Sequence, residues 1–161
     1  MPESESTPGK DRFNRIRVRV NGLLVMDQSL LMVQLLSPVN GEVIWMPPGG
    51  GLKYGELLES AVRREMFEET GLEVDAGPLW YIHEVRTSGI HAIEFYFLCR
   101  KVGGELGKGA DPEYGDEDQI IRDVSFFPLD SLNRPDVYPV YIRTGFVEDY
   151  RSETAQLPKR I

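Results

Sequence analysis

A five-residue run, Pro47-Pro48-Gly49-Gly50-Gly51, stands just before the strongest helix-forming stretch of the chain, Glu56 to Thr70. Two prolines remove backbone donors and three glycines open dihedral space closed to other residues, so the run reads as a loop, neither helix nor central strand. The stretch after it lacks Gly and Pro and is rich in Leu, Ala, Arg, Met and Glu, all good helix formers. Gly71 follows where a helix C′ glycine belongs. On such a helix Glu65, Glu68 and Glu69 stand at i, i+3 and i+4 and share an arc of about 100°. Leu58 and Ala61 fall on the same arc, so the acids continue the apolar stripe. Turned toward a core, three negative charges repel one another and resist desolvation unless protonated or countered by a cation. Hard divalent cations take oxygen ligands of this kind. An acidic run is otherwise usually a solvated helix face, so this spacing alone leaves both readings open.

Around this segment the pattern is mostly that of strands. Arg15, Arg17 and Arg19 alternate with Ile16, Val18 and Val20, which predicts a strand with one apolar face. Asp27-Gln28-Ser29 separates Leu23 to Met26 from Leu30 to Leu36 and predicts a hairpin. Further strands are predicted at Val43 to Met46, Leu72 to Val74, Leu79 to Arg86, Ala92 to Arg100 and Val124 to Phe127. Residues 101–119 read as a long connection without periodicity, of a kind often functional or disordered. Val140 to Arg151 reads as a closing helix, weakened by Gly145 and by β-branched residues. Residues 1–11 read as a polar tail, 12–151 as one mixed α and β domain, and 152–161 as a C-terminal tail. A chain of 161 residues fits one domain and can bury a core without cross-links.

Residue counts exclude several classes. The single cysteine, Cys99, rules out an internal disulfide and any zinc cage needing two or more cysteines of this chain. The formal net charge of −8 is a poor match for a duplex nucleic acid backbone. No apolar run approaches the ~20 residues of a membrane-spanning helix, and the polar first residues lack the apolar core of a signal peptide. A soluble, cytoplasmic chain with neither membrane nor duplex partners is expected.

Read from Gly50, the sequence is Gly50, five residues, Glu56, seven residues, Arg64-Glu65-Met66, one residue, Glu68-Glu69, one residue, Gly71-Leu72. This resembles the Nudix box at every fixed position, and a chance match has odds on the order of 10⁻⁷ at ordinary residue usage. The order of the surrounding strands and closing helix is similar to that family over most of residues 12–150. The resemblance implies a Nudix-fold α/β/α sandwich with a mixed β-sheet in a single domain. It also implies hydrolysis of a nucleoside diphosphate linked to another group, X, by water attack at phosphorus. Glu65, Glu68 and Glu69 are then expected to ligate Mg²⁺ or Mn²⁺ with the carbonyl of Gly49, while Gly50, Glu56, Arg64 and Gly71 orient them. The general base is expected to be Glu68 or an acid of the downstream loop, first among them Glu117. Members often dimerise, so a homodimer is among the expected states.

A phosphate substrate needs counter-charge on an acidic protein. Arg17, Arg19, Lys53 and Arg86 are candidate contacts, each also readable as ordinary surface charge. Glu94, a carboxylate inside an apolar strand run, is costly unless it faces a wet cleft. His83 and His91 make a thin case for a metal and read as structural or surface residues. Tyr138, Tyr141, Phe146 and Tyr150 read as core before they read as stacking partners for a base. The stretch Thr87-Ser88-Gly89-Ile90 lacks the proline and tyrosine that the resemblance assigns to ADP-ribose and dinucleoside-polyphosphate members, which weakens those assignments without selecting another; a nucleoside triphosphate or a nucleotide sugar is expected. A non-catalytic Nudix-fold sensor of nucleotides is the alternative, although such modules usually lose box glutamates and none is lost here.

Overall fold

The computed structural model describes residues 15–37, 39–107, 121–152 and 158–161. Strand β1 (Ile16–Met26) turns back into β2 (Ser29–Leu36), with Val25 opposite Leu30 and Met26 opposite Ser29. Asp27 and Gln28 both take positive φ, 47° and 58°, which matches the right-handed twist a two-residue hairpin needs. β3 (Val43–Met46) and β7 (Asp123–Pro128) both pair antiparallel with β2.

The glycine run departs from its expectation. Gly49–Gly51 forms a short strand, β4, antiparallel to β1 with Gly49 opposite Asn21 and Gly51 opposite Arg19. Ladder bonds from β1 fix a segment that has no side chains with which to specify itself. Helix α1 (Leu58–Thr70) follows and begins two residues later than Glu56. It ends as expected: Gly71 takes φ 73° and its N–H bonds the carbonyl of Phe67. A side chain there would also strike the carbonyl oxygen of Glu105, 2.5 Å from an added Cβ.

β5 (Leu72–Arg86) is one strand where two were predicted. It keeps its partner through register shifts that include Gly77-Pro78, bulges that let an extra residue pass without ending the ladder. β6 (His91–Gly104) runs past Arg100 into the predicted connection because β5 continues alongside it. The closing helix breaks at Gly145 into α2 (Val140–Thr144) and α3 (Phe146–Arg151). Lys159–Arg160, expected within the tail, adds a parallel strand, β8, to β5.

The strands form one mixed sheet of eight in the order β3-β2-β1-β6-β5-β8, with β4 on β1 and β7 on β2. At its centre β1 and β6 run parallel in unbroken register from Ile16 opposite His91 to Leu24 opposite Cys99. Consecutive β1 residues face opposite ways. Val20 and Leu24 join Ala61, Val62 and Met66 under α1, while Leu23 joins Tyr81, Tyr96 and Phe146 on the side of α2 and α3. Helices on both faces make the α/β/α sandwich. Full burial of a large apolar side chain contributes about 1.5–3 kcal/mol, so the cluster beneath α1 fixes where that helix lies and hence where its acids point. Cys99 is buried in the α1 cluster, where burial pushes its thiol up to about 12. Among the described residues no helix is long and apolar enough to cross a membrane.

Candidate active site

The stripe that seats α1 on the sheet carries the acids with it. Glu65 is 9% exposed, in line with the buried Ala61, Val62 and Met66. β4 lies directly against it: a Cβ added to Gly50 would sit 2.5 Å from the Glu65 carboxyl carbon and 2.6 Å from each oxygen. Glycine is therefore what lets strand and carboxylate approach so closely. The Gly49 N–H donates to Glu69 Oε2 at 2.8 Å, tying the third acid to the same strand.

Arg64 organises the cluster from the solvent side. Its Nε and Nη2 donate to the two oxygens of Glu56 at 2.8 and 2.9 Å, and Nη2 also reaches the Gly51 carbonyl at 3.1 Å. Its Nη1 donates to Glu65 at 2.6 Å and to Glu68 at 3.2 Å. Glu56 accepts the Lys53 N–H as well, at 3.1 Å, which closes the turn between β4 and α1. The hydrogen bonds from Arg64 hold the Glu56 carboxyl below its usual range despite some desolvation. Burial pushes Glu65 up, opposed by Arg64. Burial, then the adjacent negative charge of Glu65, pushes Glu69 up to about 8, against the pull of the Gly49 N–H.

Among the described residues no three His, Cys, Asp or Glu side chains converge tightly enough to hold an ion as they stand. The Arg64 guanidinium instead bridges Glu65 and Glu68 and serves as their cation. The donor set nevertheless suits a hard divalent ion, since the Glu65 and Glu69 carboxylates meet a glycine backbone and Glu68 stands beside Glu65 on Arg64. Burial raises two of the three carboxyls above the ordinary glutamate range, with repulsion from a neighbouring glutamate adding to it. Glu65, Glu68, Glu69 and the Gly49 carbonyl would be the groups to hold a divalent ion here.

On the other face of β1 lies a cavity of about 310 Å³. Arg17 and Arg19 of β1, His83 of β5 and Glu94 of β6 line it, beneath mostly apolar walls. Register accounts for the polar floor: Arg19 is opposite Glu94 on β6, which is opposite His83 on β5. Arg19 Nε lies 3.4 Å from Glu94 Oε1, while His83 Nδ1 and the Tyr96 hydroxyl lie 3.0 and 2.8 Å from Oε2. Burial pushes the Glu94 carboxyl up, but His83, the Arg19 charge and Tyr96 together hold it below its usual range. Arg19 is also opposite Gly51, and its charge is felt by Glu65 and Glu69. It is the side chain that joins cavity and acid cluster.

Of the candidates read from sequence, Arg17, Arg19 and Glu94 come together at the cavity, and Glu65, Glu68, Glu69, Gly49, Gly50, Glu56 and Arg64 at the acid cluster. Gly71 stands at the end of α1, a cap and no part of either group. Lys53 and Arg86 are exposed and do not line the cavity. Glu117 lies outside the described residues. His83, read as structural or surface, belongs to the cavity floor, and Tyr138 lies on the cavity wall instead of in the core. Only the pairing of β5 with β6 could have revealed His83, because no local pattern separates it from its neighbours.

The family model described as NUDIX domain matches residues 15–144. An ADP-ribose pyrophosphatase of Methanocaldococcus jannaschii is 31% identical over 118 residues, 71% of this chain and 63% of that protein. Nucleoside triphosphatase NudI of Enterobacter sp. (strain 638) is 31% identical over 98 residues, 58% of this chain and 67% of the relative. The chain thus spans somewhat under two thirds of the archaeal relative's length. In fold it is similar to a crystal structure of a NUDIX hydrolase from Nitrosomonas europaea, with TM-score 0.70, 16% identity, 92% of this chain and 80% of that one covered. The matched span takes in both the acid cluster and the cavity, and by it this chain belongs to the Nudix family.

Proposed function

We propose that this chain is a metal-dependent pyrophosphohydrolase that cleaves a nucleoside diphosphate linked to a second group, by water attack at phosphorus. The observation that carries the reading is the meeting of Glu65 and Glu69 with the side-chain-free strand β4, with Glu68 held beside Glu65 by Arg64 and with Arg19 of the cavity floor opposite Gly51. Glu65, Glu68, Glu69 and the Gly49 carbonyl would hold Mg²⁺ or Mn²⁺, whose positive charge would offset the phosphate oxygens and acidify water. Glu68, the most exposed of the trio, accepts the proton of the attacking water, with Glu117 the second candidate base. Arg17 and Arg19 place the substrate from the cavity side, and Arg64 keeps the acids in register through Glu56. Relatives named for ADP-ribose and for nucleoside triphosphates bracket the substrate class, and a nucleoside triphosphate or nucleotide sugar is the class favoured here.

The test is product release from a mixed panel of nucleotides with Mg²⁺, comparing the native chain with Glu68→Gln and Glu69→Gln. Each variant should lose about 10²- to 10⁴-fold in turnover, the range for removing a general base or its electrostatic partner. Undiminished turnover in both overturns the assigned roles. Nucleotide binding without turnover in the native chain selects the non-catalytic sensor instead.

A further inference from the structure

The cavity above the Arg19–Glu94–His83 row is the least explained part of the molecule. Its walls are mostly apolar, with Ile44 and Met46 of β3, Val85 of β5 and Ile90 among them beside the polar Ser37 and Asn40, and Tyr138 adds an aromatic ring. Arg17 and Arg19 can meet a phosphate at the floor, but a polar group set against the apolar part of the lining would lose hydrogen bonds, which is costly. A flat heterocycle loses little there. The volume of about 310 Å³ stands at the small end of ligand pockets, enough for one ring system and its sugar.

The floor supplies a hydrogen-bonding edge of fixed polarity. Glu94 is 8% exposed and bonded by Arg19, His83 and Tyr96, so it is an ionised carboxylate that only accepts. His83 Nδ1, 3.0 Å from it, must then carry a proton. In the neutral ring this leaves Nε2 as an acceptor, and among the described residues it has no partner. Tyr96 is fully buried and Glu94 sits on a central strand, so the imidazole is held from behind by rigid elements.

We propose that His83 is the specificity-determining residue of the substrate site: held by Glu94, its Nε2 accepts an N–H from the edge of a nucleobase seated in the apolar cavity. This deepens the proposed function by naming the nucleobase as the part of the substrate held there, in preference to the sugar of a nucleotide sugar. Glu94 acts through His83 and is a positioning residue.

Binding without metal tests this apart from hydrolysis. AMP, GMP, CMP, UMP and ribose 5-phosphate are titrated calorimetrically into the native chain, His83→Phe and His83→Gln, with circular dichroism to verify folding. The native chain should bind at least one nucleotide more than about tenfold tighter than ribose 5-phosphate. In His83→Phe that ratio should fall by about tenfold, the effect of one unmade buried hydrogen bond, and His83→Gln should restore part of it. A merely structural role would weaken all ligands together and leave the ratio unchanged, which overturns the proposal. So does a native chain that binds every nucleotide no better than ribose 5-phosphate. A native chain that hydrolyses nothing yet shows the expected ratios defeats the proposed reaction while leaving this inference standing.

Discussion

Replacing Arg64 by alanine isolates what the guanidinium does for the acids. It forms four hydrogen bonds to carboxylates, two with Glu56 and one each with Glu65 and Glu68. The side chains are 20% exposed for Arg64, and 16, 12 and 35% for those glutamates, between surface and core. Exposed pairs contribute about 0–1 kcal/mol and breaking a buried pair costs about 3–5, so a loss of roughly 2–3 kcal/mol is expected. For a chain of this size that lowers the midpoint of thermal unfolding by roughly 5–10 °C. The pH dependence follows from direction. The Glu56 carboxyl is held below its unfolded range, so its bond to Arg64 stabilises the fold above that range and the benefit disappears as pH falls through the folded value. Glu65 is raised and sheds its charge early on acidification, which removes its repulsion with Glu68 and Glu69. Glu69, raised to about 8, favours the fold fully below the ordinary glutamate range and loses that contribution as pH rises through its folded value, in both proteins. Calorimetry in EDTA should therefore show the widest gap between native chain and Arg64→Ala near neutral pH, closing as pH falls below the ordinary glutamate range of about 4.3. A gap under about 2 °C at neutral pH, or one constant across the range, would refute the view that Arg64 acts as the cluster's resident cation.

Two further substitutions probe other parts of the argument. Gly50→Ala sets a methyl 2.6 Å from both Glu65 oxygens, so the carboxylate must move; turnover should drop about 10- to 100-fold with the fold retained, and activity within twofold of native (about the error of such assays) would show that Glu65 needs no fixed position. Asp149→Ala removes the acceptor shared by Tyr81, Tyr141 and Lys159, stranding the fully buried Tyr81 hydroxyl. It should cost about 1–3 kcal/mol, with Asp149→Asn recovering part, and an unchanged unfolding midpoint for the alanine variant would mean the hydroxyl has another partner.

Local pattern made the first half of the site readable and left the second half obscure. The acids of α1 announce themselves because helical spacing, the Gly71 cap and the glycine run lie within one short stretch, where sequence neighbours are also spatial neighbours. The alternation of Arg17 and Arg19 against Val18 and Val20 likewise placed β1. Where pairing with a distant segment decides the outcome, local pattern fails. Gly49–Gly51 is a strand only because Arg19–Asn21 offers it a ladder. Gly77-Pro78 looks like a break, yet β6 carries β5 across it. Lys159–Arg160 has no pattern at all and pairs with Tyr81 and Ile82. His83 gained its place from two registers, each joining segments remote in sequence. The closing helix was visible in outline, but nothing local fixed the position of Tyr138 against the cavity.

The unbroken parallel pairing of β1 with β6 also governs where the chain tolerates a change of length. Adding or deleting one residue within either strand would exchange the faces of everything beyond it, sending Arg19 or Glu94 to the side of α1 and dismantling the cavity floor. The Thr87-Ser88-Gly89-Ile90 turn between β5 and β6 carries no such penalty, since it ends where the ladder begins. Engineered insertions belong in that turn, where the rim of the cavity can be enlarged while its floor keeps its spacing.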